Sequence, residues 1–161
     1  MYEFMAWLEG SSLGHAMRDH GVWTYGVVNL THILGVSALF GSVLVLDLRL
    51  LGAWRQVPLV SVTNTTLPIA RVGFAVAATS GLGLLATKAT EYVGNPFLLI
   101  KFPAIAIALI NVMVIARLPG WKARTVREAN EHERKQLAIA GAVSLLSWLT
   151  AVSAGRMIGY W

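Results

Sequence analysis

The chain contains no cysteine and little charge. Only 13% of its 161 residues are charged, with 13 Lys and Arg against 8 Asp and Glu. Without cysteine the protein forms no disulfide, iron–sulfur cluster, thiolate-ligated haem or covalently attached haem. The sequence also lacks an ATP-binding loop, a nucleophile elbow and an HExxH pattern, so no complete catalytic signature assigns it to an enzyme class.

Apolar residues dominate instead, and they are collected in four blocks. The chain is 56% hydrophobic with a mean hydropathy of +0.62, whereas soluble domains are about 45–50% apolar. A membrane-spanning helix needs about 20 apolar residues. The sequence therefore predicts an all-α fold, an integral membrane four-helix bundle with a short N-terminal interfacial helix, in a single transmembrane domain over residues 1–161. The expected elements are an interfacial helix at about 1–20 and membrane helices at about 23–48, 66–88, 97–117 and 137–158.

Basic residues are distributed unevenly between the connecting segments. Four spans place both termini on one side of the membrane, and the cytoplasmic side is normally the one richer in Lys and Arg. We therefore expect a bacterial inner-membrane protein with both termini outside the cytoplasm and loops 1–2 and 3–4 inside. This distribution suits a lipid bilayer rather than a nucleic acid as partner. The residues on the inner side are Arg49, Arg55, Arg71, Arg117, Lys122, Arg124, Arg127, Arg134 and Lys135, against Arg18, Lys88, Lys101 and Arg156 outside.

His32 is the one histidine inside the first apolar block, residues 22–46. An ionisable side chain at membrane depth is costly and commonly marks a functional site. Imidazole is also the commonest metal ligand and a frequent haem ligand. We predict that His32 binds the metal of a haem b or related porphyrin; the alternative is a structural hydrogen bond to a neighbouring helix. His15 and His20 precede helix 1, and each is either a second ligand or a surface group.

Further polar residues are expected near the depth of His32. His32 lies 17 residues before Arg49, and Lys101 lies 16 before Arg117. At about 1.5 Å per residue, both would lie about 25 Å from the inner ends of their helices. Lys101 and Arg156 would then hold anionic groups such as haem propionates, or would extend to the interface instead. The predicted cofactor-binding residues are His32, Lys101, Arg156, Asn29 and Glu91.

Small residues and one acid complete the helix pattern. Gly73, Ala77 and Gly81 recur at four-residue spacing, and Gly35 follows His32 by three. Such spacing is typical of close helix–helix contact, although a groove of this kind would also admit a flat macrocycle. Asp47, near the inner end of helix 1, is expected to pair with Arg71.

Five short motifs are spread over the whole chain: Trp7-Leu8-Glu9, His32-Ile33-Leu34-Gly35, the run from Asp47 to Gly52, Asn95-Pro96 followed by Lys101, and Ala154-Gly155-Arg156. In these the chain resembles, throughout its length, an uncharacterised family of small bacterial four-helix membrane proteins. More distantly, His32 in helix 1 and Lys101 in helix 3 are similar to residues of copper-resistance D membrane domains and of the haem-binding bacterial protoporphyrinogen oxidase family. That oxidase family uses a helix-1 His and a helix-3 Lys. The resemblance implies that the chain binds a porphyrin or a metal.

Three functions are consistent with these observations. The first is a membrane-embedded haem b or porphyrin protein with a role in electron transfer or porphyrin-linked redox chemistry. Its partners would be a redox protein and other copies of the chain. The second is a transporter or channel for copper or a small solute, and the third is a non-catalytic accessory subunit of a membrane complex.

Overall fold

A computed structural model describes residues 2–19 and 21–161, except for the side chains of residues 21 and 22. Within these ranges the chain forms α-helices and short 3₁₀ turns and contains no strand, so the predicted all-α class is confirmed. Residues 1 and 20 of the expected interfacial helix, and therefore His20, lie outside the described ranges. The helices are α1 Tyr2–Glu9, α2 Ser12–Asp19, α3 Gly21–Leu51, α4 Leu59–Thr87, α5 Pro96–Arg117, α6 Pro119–Ala123 and α7 Glu131–Met157.

Four of these helices, α3, α4, α5 and α7, are long and apolar enough to cross a membrane. Inside a bilayer the backbone has no water to bond, and a helix satisfies its own N–H and C=O groups. The chain is therefore an integral membrane protein with four helical spans, as its composition predicts.

Helix α4 begins at Leu59, whereas the sequence pattern suggested a start at residue 66. The intervening segment is rich in Ser and Thr, which the hydropathy pattern treats as a loop. In the structure Thr65 Oγ1 donates to Ser61 O at 3.2 Å and Thr66 Oγ1 to Val62 O at 2.9 Å. These hydroxyls bond to the preceding helical turn, so the polar segment continues the helix.

Helix α7 begins at Glu131, in a stretch expected to lie before the membrane helix. Asn130 Oδ1 accepts from Glu133 N at 2.9 Å, and Glu133 Oε2 accepts from Asn130 N at 2.9 Å. This reciprocal capping box satisfies two N–H groups that a helix start otherwise leaves without partners. Arg127 adds two bonds to the Glu133 carboxylate, at 2.8 and 2.7 Å.

The chain divides into two compact units. Unit 1 comprises Met1–Leu39 and Arg71–Pro96, and unit 2 comprises Phe40–Ala70 and Phe97–Trp161. The first half of α3 and the second half of α4 thus belong to unit 1, and the remaining halves belong to unit 2.

Unit 1 is held together by very close backbone contact between α3 and α4. A methyl group added to Gly35 would lie 2.7 Å from Ala77 N, and one added to Gly73 would lie 2.6 Å from Leu39 N. No side chain larger than hydrogen fits at either position. The small residues therefore set the helix spacing in unit 1, as their four-residue repeat indicates.

Unit 2 has an apolar core between α3, α4, α5 and α7. Its buried members, drawn from all four helices, pack as one cluster, and Gly141 lets α7 approach α3, since a methyl group there would lie 2.9 Å from Leu50 Cβ. The cluster consists of Leu46, Leu50, Leu59, Ile115, Leu137 and Ala140.

Candidate functional site

The His32 side chain lies half-buried in unit 1 and reaches from α3 to α4. Its Nδ1 lies 2.9 Å from Ala77 O and 3.2 Å from Ser80 Oγ. Ser80 donates its own hydroxyl proton to Val76 O, so its oxygen lone pairs face the ring. Ala77 and Ser80 are both buried.

These contacts determine the tautomer of the ring. A backbone carbonyl only accepts hydrogen bonds, so Nδ1 must carry the proton that it shares with Ala77 O. In the neutral ring Nε2 then carries the lone pair. This is the tautomer found in metal-binding histidines, whose other ring nitrogen commonly donates to a carbonyl or carboxylate.

Gly81 provides the surface against which the imidazole rests. A methyl group on Gly81 would lie 2.9 Å from His32 Cε1 and 3.3 Å from Nδ1. The ring therefore lies almost directly on the α4 backbone, and the absent side chain at residue 81 creates the space for it. The repeat of small residues on α4 therefore makes room for the His32 ring at Gly81 and allows close contact with α3 at Gly73.

Asn29 and Glu91, also in unit 1, occupy different surroundings. Asn29 is half-buried on α3, close to one turn before His32. Glu91 lies in a 3₁₀ turn at Ala89–Tyr92, where its Oε1 is 3.0 Å from Lys88 Nζ and both side chains are 62% exposed. The Glu91 carboxylate raises the pKa of the Lys88 ammonium through this bond. The cofactor role predicted for Glu91 would require it to leave this solvated pair.

Near this turn, hydrogen bonds connect the two N-terminal helices to residues 87–90, and the sequence did not predict them. Thr90 N and Thr90 Oγ1 each donate to Glu9 Oε2 at 2.7 Å. Arg18 donates to Glu9 O at 2.8 Å and to Thr87 O at 3.1 Å. The bonds from Thr90 hold the pKa of the Glu9 carboxyl below its ordinary value. These hydrogen bonds join α1 and α2 to the last residue of α4 and to the 3₁₀ turn that follows it.

The two predicted cations belong to unit 2. Lys101 is half-buried, and its Nζ would lie 3.2 Å from a methyl group on Gly155, so its side chain runs along α7. Arg156 is exposed, donates to the Tyr160 hydroxyl and places its guanidinium carbon 4.6 Å from the centre of the Tyr160 ring. Arg156 is therefore held by a local aromatic contact.

Asp47 is the most deeply buried acid of unit 2, with 1% of its surface exposed. The expected partner was Arg71, but the hydrogen bond that the structure shows comes from Ser144 on α7. Oδ2 accepts no hydrogen bond from the described residues, and Asp47 is in none of their ion pairs. The buried carboxyl is thus held by a hydroxyl.

Metal-binding side chains are not clustered in the described part of the chain. Within residues 2–19 and 21–161, no three His, Asp or Glu side chains lie close enough to hold one metal ion. His15 is exposed on α2, whose buried residues are Gly14 and Met17. The histidine site includes His32 and its α4 neighbours Ala77, Ser80 and Gly81.

The chain was compared with protein-family models, curated proteins and solved structures. No curated protein and no solved structure shows significant similarity to it. A family model covers residues 4–161, which is nearly the whole sequence. The whole-length resemblance to an uncharacterised family is therefore supported, and the chain belongs to DUF6644, a family of unknown function.

Proposed function

We propose that this protein binds haem b, or a closely related metalloporphyrin, in the membrane through His32 Nε2. The observation that carries the proposal is the hydrogen bond from His32 Nδ1 to Ala77 O, at 2.9 Å. In a neutral ring this bond leaves the lone pair on Nε2, which would be the ligating atom, and a bond of this kind also raises the basicity of the ring. The same bond joins α3 to α4, and the proposal adds to it a metal ligated by the second ring nitrogen.

The surrounding residues would orient the ring rather than bind the cofactor. Ser80 shares the Nδ1 proton, and Gly81 supports the ring face. Together they restrict rotation of the imidazole about its side-chain bonds. A bound haem supplies one-electron redox chemistry, whose potential depends on the axial ligand and its hydrogen bonds. Electron transfer or porphyrin-linked redox chemistry is the role that this arrangement would serve.

The remaining elements of the proposal come from the sequence. Lys101 and Arg156 are the predicted partners of anionic groups, with Asn29 and Glu91 as polar neighbours of the cofactor. The excess of basic residues in loops 1–2 and 3–4 supports an inner-membrane location with both termini outside the cytoplasm. A redox partner would then approach from that outer side.

Haem content of the purified protein tests the proposal. The protein is produced with haem supplied, purified in detergent and compared with His32→Ala and His15→Ala. His15 is the matched control because it is exposed and lies outside the histidine site. We expect haem in wild type and His15→Ala, and a haem content at least about tenfold lower in His32→Ala, since losing even a residue that hydrogen-bonds to a metal ligand costs about 10–100-fold in affinity.

Two results would contradict the proposal. One is a wild-type protein that takes up no haem, and the other is an equal haem content in all three proteins. If wild type instead purifies with stoichiometric copper and without haem, the transport hypothesis replaces the haem hypothesis. Helical circular dichroism of each variant shows whether a loss of haem follows from a loss of fold.

A further inference from the structure

A cleft of about 620 Å³ lies in unit 2. Its walls come from the end of α3, the loop to α4, the start of α4, and the segment from Gly120 to the first turns of α7. We call it the basic cleft, because six cationic side chains line it against two acidic ones. The cations are Arg49, Arg55, Arg124, Arg127, Arg134 and Lys135, and the acids are Glu128 and Glu131.

Two of these cations are already neutralised. Arg127 binds the Glu133 carboxylate with both terminal nitrogens, at 2.8 and 2.7 Å. Lys135 Nζ lies 3.0 Å from Glu131 Oε1. The other four have no carboxylate partner among the ion pairs of the described residues. The basic cleft therefore has an excess of positive charge, contributed by guanidinium groups.

Backbone carbonyls position these guanidinium groups without neutralising them. Arg49 Nε donates to Val57 O at 2.9 Å, and Arg134 Nε donates to Ala129 O at 2.8 Å. Arg124 donates to Trp121 O at 2.6 Å and lies 4.5 Å from the Trp121 ring centre. A guanidinium has five N–H donors, so each of the three has donors beyond those used here.

Arg55 is directed by a glycine turn at the end of α3. Gly52 has φ +110°, a conformation that side-chain-bearing residues rarely adopt. A methyl group at Gly52 would lie 3.0 Å from an Arg55 terminal nitrogen and 3.1 Å from Nε. The glycine thus allows the exposed Arg55 guanidinium to fold back against the end of α3.

The floor of the basic cleft is apolar. Leu50, Leu59 and Leu137 line it, and all three belong to the buried core of unit 2. Leu50 and Leu59 lie where one span ends and the next begins, so the apolar floor lies at the ends of α3 and α4 with the cations around it. A ligand that suits both surfaces carries an anionic head and an adjoining carbon skeleton.

We infer that the basic cleft binds a phosphate ester that carries a net negative charge, with the phosphate held by Arg49, Arg55, Arg124 and Arg134. Planar guanidinium groups match pairs of phosphate oxygens in a bidentate arrangement. The ester carbons would lie on the leucine floor. The phosphate belongs either to the head group of an anionic phospholipid or to a soluble phosphate ester, and both present the same group to the arginines.

Binding to the full-length protein in detergent distinguishes these sources. The probes are short-chain phosphatidylglycerol, glycerol 3-phosphate and, as the neutral control, short-chain phosphatidylcholine. The test variants are Arg55→Gln and Arg134→Gln. Arg117→Gln is the matched control, because Arg117 is exposed, lies at the nearby end of α5 and does not line the cleft.

We expect at least one of the two phosphate probes to bind wild type and Arg117→Gln equally. Each test variant should bind it about tenfold more weakly, since hydrogen bonds to charged groups are stronger than those between neutral groups. Selective binding of phosphatidylglycerol identifies a lipid site, and selective binding of glycerol 3-phosphate a soluble ligand. In the described residues the Arg55 side chain donates no hydrogen bond, so its replacement should leave the fold intact. If Arg134→Gln unfolds, Arg55→Gln alone decides the test.

Two outcomes would overturn the inference. The first is that neither phosphate probe binds more tightly than phosphatidylcholine. The second is that Arg117→Gln weakens binding as much as the two cleft variants, because the effect then reflects total charge rather than this cleft.

Discussion

Replacing Gly73 with alanine should destabilise the protein, although alanine is normally the better helix former. A methyl group at Gly73 would lie 2.6 Å from Leu39 N and 2.9 Å from Gly35 O. Both neighbours are backbone atoms, so no side-chain rotation relieves the clash. Non-bonded carbon atoms prefer separations of about 3.5–4.0 Å, so α3 and α4 would have to move apart by about 1 Å within unit 1.

The size of the effect follows from two opposing terms. Overpacking of a tight contact costs about 1–3 kcal/mol. Alanine in place of glycine inside a helix gains about 0.5–1 kcal/mol. We therefore expect Gly73→Ala to lower the free energy of unfolding by about 1–2 kcal/mol. The same movement would lengthen the bond from His32 to Ala77, since Ala77 is one turn from Gly73, and haem affinity should fall as well.

Gly41→Ala is the matched control. Gly41 also lies within a membrane span, on α3, but a methyl group there has no atom within 4 Å. Gly41→Ala should therefore gain stability by about 0.5–1 kcal/mol. Unfolding of both variants in detergent is monitored by circular dichroism. It shows whether each substitution raises or lowers the free energy of unfolding. The reasoning is refuted if Gly73→Ala is as stable as Gly41→Ala, because the close helix contact would then have no energetic consequence.

Three further predictions concern other parts of the fold. Asp47→Asn should change the free energy of unfolding by less than about 1 kcal/mol, because the asparagine amide can still bond to the Ser144 hydroxyl. A loss of about 3–5 kcal/mol would instead indicate a broken buried ion pair. Because the folded-state pKa of Glu9 is lowered, its contribution to stability is present above about pH 4.3 and disappears as the pH falls through the lower folded value. The difference in melting temperature between wild type and Glu9→Gln should shrink over that acidic range, and a constant difference would exclude the bonds from Thr90 as its cause. Asn130→Ala should lower stability by about 1 kcal/mol through loss of the helix cap, measured by the same unfolding assay, and an unchanged midpoint would mean that the cap is dispensable.

The four membrane helices are predictable because their signal is long and has a single physical cause. A bilayer demands about 20 apolar residues per span, and α5, Pro96–Arg117, matches the expected range closely. The start of α4 is less predictable. Hydropathy alone does not show that Thr65 and Thr66 bond to the preceding turn, because that outcome depends on helix geometry.

The candidate site was predictable only in part. A histidine in an apolar block is visible in the sequence, so His32 could be singled out. Its main partner is the Ala77 carbonyl, and a backbone group leaves no trace in residue identity. The Glu9–Thr90 contact joins residues 81 positions apart, and no local pattern links them. Glu91 was assigned to the cofactor from its expected depth, whereas its carboxylate pairs with Lys88, three residues before it.

The basic cleft was also predictable from the sequence only in part. Its arginines were recognised from the sequence as signals of membrane orientation. Their arrangement around one cavity depends on the Gly52 turn and on carbonyl bonds such as that from Arg49 to Val57 O. Neither feature follows from the count of charges.

Rescue of His32→Ala by free imidazole tests the central claim most directly, because it separates the ligating ring from its role in the fold. The measurement is the absorption spectrum of detergent-purified protein produced with haem supplied. We predict a Soret band at about 400–430 nm, a general property of haem proteins whose ligands tune it, in wild type. The band should be absent from His32→Ala and should return when imidazole is added. A Soret band of full height in His32→Ala without imidazole, or none in wild type, would contradict the account.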